Sequence, residues 1–75
     1  MSPENAAQVW QAIRLAGDRL QGQLPEHPNH PQGRNPYAHV ALCVKTKWGQ
    51  SYRDIPDRDM DSVLAYIEWL VENPK

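Results

Sequence analysis

Two short spacings in this chain, His27-x2-His30 and His39-x3-Cys43, carry the donor types that hold tetrahedral zinc. The second pair stands at i, i+4, so a helix would present both donors on one face. The first pair falls in a proline-rich segment, where a short histidine spacing is ordinary. With Cys43 as the one cysteine, a site would need three histidines, and structural zinc sites more often use two or more cysteines. These residues are therefore read as loop histidines, a solvated His39 and a half-buried, inert Cys43, with no metal and no cofactor assigned. Cys43 and His39 resemble a nucleophilic dyad in composition only, because no oxyanion-hole motif or nucleophile turn surrounds them. Asp57, Asp59 and Asp61 are acids suited to a helix start, where they cap backbone N–H groups and meet the positive end of the dipole. Gly33 and Gly49 are single turn glycines, not a phosphate loop. No catalytic residue is assigned, and a non-enzymatic protein is expected.

Two sets of residues suit binding instead. Lys45, Lys47, Tyr52 and Arg53, with Trp48 among them, interleave cations with aromatics, a combination that holds phosphates and stacks on bases. Trp48 and Tyr52 are also expected to serve the core, and three cations support only weak, salt-sensitive binding, so nucleic acid is the second choice of partner. The first choice is a protein partner or a second copy of the chain, met by Ser62, Tyr66 and Trp69. These three fall on the flank of a helix, off its apolar stripe, and Trp and Tyr give large contact area at low entropic cost. Leu15 and Leu42 also fall off their stripes and point the same way.

The elements that position these residues can be read in order. Ser2-Pro3-Glu4 supplies a cap, a proline for the first turn and an acid for the dipole. Ala6, Val9, Trp10, Ile13, Ala16, Gly17, Leu20 and Leu24 then recur at helical spacing, which predicts helix 1 over about 3–23. Gly17 lies inside the stripe, where it favours close approach of another helix. Residues 24–35 hold Pro25, Pro28, Pro31 and Gly33 and predict a stiff loop. Asn35-Pro36 repeats the cap-then-proline device, and Tyr37, Val40, Ala41, Val44 and Trp48 form the stripe of helix 2, over about 36–48. Lys45 and Lys47 meet the negative end of its dipole, and Gly49 suits the left-handed position beyond it. A short extended hinge over 49–56, pinned by Tyr52 and Ile55, leads through Pro56 into helix 3, over about 57–72, with Asp57 or Asp59 as its cap. Met60, Val63, Leu64, Ile67, Leu70 and Val71 form its stripe, and Asn73-Pro74 stops it. The expectation is an all-α, single domain of three helices.

At 75 residues there is room for one domain with a thin core. The net charge of −1 argues against a general nucleic-acid binder. Its distribution is uneven: residues 35–53 carry Lys45, Lys47 and Arg53 and no acid, whereas 54–75 carry six acids against Arg58 and Lys75. A lone cysteine suits a reducing compartment, and neither a signal-peptide run nor a stretch of transmembrane length is visible, so a cytoplasmic location away from membranes is expected.

Tyr37-Ala38-His39-Val40 through Lys47-Trp48-Gly49, then Ser51-Tyr52-Arg53-Asp54-Ile55-Pro56, then Met60-x2-Val63-Leu64-x2-Ile67, resembles the C-terminal module of phage antirepressors and related phage regulatory proteins. The resemblance covers residues 37–72, and Trp48 stands where that module usually has Phe. It implies a phage or prophage origin, an all-helical module and a regulatory or protein-interaction role, and it supplies no catalytic residues.

Overall fold

The computed structural model describes residues 1–24 and 35–74. Among these the protein is all-α. Three helices follow one another: α1 (Pro3–Leu20), α2 (Pro36–Trp48) and α3 (Met60–Glu72), with two 3-10 turns, Tyr52–Asp54 and Asp57–Asp59, between the last two. The proline-rich stretch 25–34 lies outside the described residues.

Local chemistry sets the helix ends. Ser2 Oγ accepts from Asn5 N at 3.2 Å at the start of α1. Asn35 Oδ1 accepts from Tyr37 N and Ala38 N at 3.0 and 3.2 Å at the start of α2. In both, a proline occupies the first turn, where its missing N–H has no intrahelical acceptor to lose. Gly49 closes α2 at φ 73°, its N–H donating to Lys45 O at 2.8 Å. Asn73 ends α3 by donating its backbone N–H and its side-chain Nδ2 to Trp69 O, both at 2.9 Å.

Three expectations change. α1 stops at Leu20, three residues short of the predicted end. Gly22 takes φ 76° there, and the chain leaves through a turn that still tucks Leu24 against the core. The hinge is extended at Ser51, Ile55 and Pro56, but between them Tyr52–Asp54 winds into a 3-10 turn closed by Asp54 N to Ser51 O at 2.9 Å. Finally, neither aspartate caps α3 with its side chain. Asp59 holds the capping position without a side-chain bond. Asp57 turns to α1 instead, where Oδ1 accepts from Ser2 N at 2.7 Å and Asn5 Nδ2 at 3.0 Å. Next to it the Met1 amino nitrogen donates to the carbonyls of Arg53 and Ile55, each at 2.8 Å. The start of α1 is thereby fastened to the α2–α3 connection.

α1 is the central element and packs on both α2 and α3 more extensively than those two pack on each other. The core is Val9, Ile13, Ala16 and Leu20 of α1, Val40 and Val44 of α2, Ile55 of the connection, and Val63, Ile67 and Leu70 of α3. Fully burying each large aliphatic side chain contributes about 1.5–3 kcal/mol, so these few residues carry most of the stabilisation. Gly17 is buried among them. A Cβ there would fall 2.2 Å from Cδ1 of Tyr37, so the glycine is what lets the first turn of α2 lie on α1.

Candidate functional site

Ser62, Tyr66 and Trp69 stand at i, i+4 and i+7 on one flank of α3. Trp69 is 43% exposed, Ser62 is exposed and Tyr66 is half-buried. The Tyr66 and Trp69 rings stack with centroids 5.9 Å apart and planes 10° from parallel. Trp48, from the end of α2, meets Tyr66 edge-on at 5.6 Å and 70°. Lys47 Nζ lies over both rings, 5.0 Å from the Tyr66 centroid and 5.8 Å from that of Trp48. Three aromatic side chains from two helices therefore form one continuous patch with a cation on it. Stacked and edge-on pairs of this kind contribute about 0.5–1.5 kcal/mol each beyond area burial, which holds the patch in a fixed shape. Burial pushes the Tyr66 phenol above the ordinary tyrosine range, and the charge of nearby Cys43 adds to the effect.

Three of the four residues of the nucleic-acid reading divide between two aromatic groups. Lys47 belongs to the patch just described. Tyr52 stacks on Trp10 at 6.2 Å and 13°, and the Arg53 guanidinium lies 5.6 Å from the Tyr52 centroid, with Nε donating to Tyr52 Oη at 3.3 Å. Lys45 is exposed on the last turn of α2. Trp10 falls on the predicted stripe of α1, yet it is 44% exposed. It stands about 100° round the helix from Val9, at the stripe's edge, and the Tyr52 turn covers only one face of it. The wheel position was the available signal.

His39 and Cys43 are half-buried on α2, with Sγ 3.7 Å from Nε2 and 3.9 Å from Nδ1. His27 and His30, the other half of the zinc spacing, lie outside the described residues. Among the described residues no group of three or more His, Cys, Asp or Glu side chains stands together.

No protein-family model matches this chain, and comparison with curated proteins and with solved structures finds no match. The chemistry of the patch has to be judged from its own geometry. It has stacking surface, one cation and one neutral phenol, which suits contact with another molecule's apolar and polar surface. Among the described residues no helix is long and apolar enough to cross a membrane.

Proposed function

We propose that this chain is a small non-enzymatic regulatory protein that acts by docking on a protein partner through the Trp48–Tyr66–Trp69 patch, by occlusion or recruitment. The observation that carries this reading is the Tyr66–Trp69 stack on the exposed flank of α3, with Lys47 over it. Pre-stacked aromatics lose little freedom on binding, and Trp and Tyr are the residues that dominate interface energetics. Ser62 extends the patch along α3, and Lys45 and Arg53 add positive charge for steering. The resemblance of residues 37–72 to the C-terminal module of phage antirepressors supports a phage or prophage origin and action in the bacterial cytoplasm. Affinity capture from bacterial lysate, with and without nuclease, tests the proposal. A partner retained after nuclease and lost on Trp69→Ala supports docking; capture that Trp69→Ala leaves unchanged overturns it.

A second reading is weak nucleic-acid binding through Lys45, Lys47, Tyr52 and Arg53, favoured by Lys47 and Arg53 each standing over an aromatic ring. Three phosphate contacts on duplex DNA give a salt slope of roughly −2.7, or about a 40-fold loss of affinity from 50 to 200 mM salt. A binding isotherm that does not move with salt eliminates it.

A further inference from the structure

The opposite flank of α3 faces α1 across an apolar groove of about 470 Å³. Ala12, Leu15 and Ala16 line one wall and Leu64, Ile67 and Val71 the other. Leu15 stands at the rim, 56% exposed, an aliphatic knob beside an aliphatic hollow. At the same rim Arg19 Nη1 meets Glu68 Oε1 and Oε2 at 3.2 and 3.3 Å, with both side chains 57% exposed. We infer that this face joins two copies of the chain about a twofold axis.

A twofold contact uses the same patch on both copies, so the patch must be complementary to itself. This one has both halves of each interaction: Leu15 as knob and the groove as hollow, Arg19 as cation and Glu68 as anion. Rotation places Leu15 of each copy over the groove of the other, and Arg19 of each copy opposite Glu68 of the other. The Arg19–Glu68 pair is exposed and weakly held within one chain, so it can exchange partners across the axis. A second copy supplies the complement of all four features. α3 is only about 20 Å long, so the contact falls at the low end of specific interfaces and the dimer is reversible. This proposal does not depend on docking at Trp69, which lies on the other flank of α3.

The test is the mass of the full chain by light scattering and sedimentation, over roughly 1–300 µM. Wild type should pass from 8.6 kDa toward twice that mass. Leu15→Glu, a change at an exposed position, should stay monomeric with its helical circular dichroism unchanged. Arg19→Glu and Glu68→Arg should each weaken dimerisation at least tenfold alone, because each leaves like charges opposed. An equimolar mixture of those two variants should dimerise again, since each copy then supplies the charge that the other lacks. Trp69→Ala should dimerise as wild type does. Wild type that remains monomeric throughout gives the groove to an unlike occupant and overturns the proposal. So does a Leu15→Glu variant that dimerises normally, a mixture that stays monomeric, or self-association lost on Trp69→Ala and kept on Leu15→Glu.

Discussion

The ring of Tyr37 lies directly on Gly17, with its hydroxyl donating to Asp18 and accepting from Gln21 Nε2 at 3.3 Å. The ring is thus held at both ends, by the helix that carries it and by hydrogen bonds to α1, and cannot swing away cheaply. Gly17→Ala gains about 1 kcal/mol of helix propensity and meets an overpacking cost of about 1–3 kcal/mol. A net destabilisation of up to about 2 kcal/mol is expected, lowering Tm by up to roughly 16 °C for a domain of this size. Thermal unfolding by circular dichroism checks it, and Tyr37→Ala in the same chain should remove the clash.

Asp57 sets an acid dependence. Its carboxylate is held below the usual range first by the Ser2 N–H, then by Asn5, with a smaller contribution from the Met1 amino group. A lowered folded pKa means that the charged form stabilises the fold. That contribution is complete above the unfolded value, 3.8, and is lost as pH falls through the folded one. Asp57→Ala should therefore lower Tm at neutral pH, and the gap from wild type should narrow toward about pH 2. A gap that stays constant between those conditions contradicts the assignment.

Tyr66 sets the alkaline counterpart. Its phenol is raised by burial first and by Cys43 second. The neutral form is favoured in the fold, so this stability is present below about pH 10 and is lost as pH rises through the folded value. Ultraviolet titration should show one tyrosine ionising late, and Tyr66→Phe should remove that late step. Late ionisation that persists in Tyr66→Phe assigns it to another residue.

The edge-on contact of Trp48 with Tyr66 is measurable as a coupling energy. A double-mutant cycle with Trp48→Ala and Tyr66→Ala, read by urea unfolding, should give about 0.5–1.5 kcal/mol. Additive effects would mean that the two rings sit together without stabilising one another.

The helix count and most helix ends were legible because their causes are local. Ser2-Pro3, Asn35-Pro36, Gly49 and Asn73 each act on backbone groups a few residues away. Asp57 was not legible, since the groups that it accepts from, Ser2 N and Asn5 Nδ2, are 55 and 52 residues distant. The stripe overstates the burial of Trp10: the wheel places it at the stripe's edge, and how much of it is covered depends also on the position of the Tyr52 turn. Of the site, Ser62, Tyr66 and Trp69 were visible as a flank of one helix. That Trp48 and Lys47 complete the same patch depends on how α2 packs beside α3, which no spacing within either helix encodes.

The most direct test of docking through α3 compares two variants in the same lysate capture, each first checked for wild-type melting. One carries Ser62→Arg with Trp69→Ala, which alters exposed positions of the aromatic flank; the other carries Lys45→Ala and Arg53→Ala, which leaves Lys47 and the aromatic patch in place. The expected result is a nuclease-resistant partner captured by wild type and by the cation variant, and reduced at least tenfold with the Ser62/Trp69 variant. Undiminished capture by the Ser62/Trp69 variant, or capture that disappears with nuclease and with the cation variant, contradicts it.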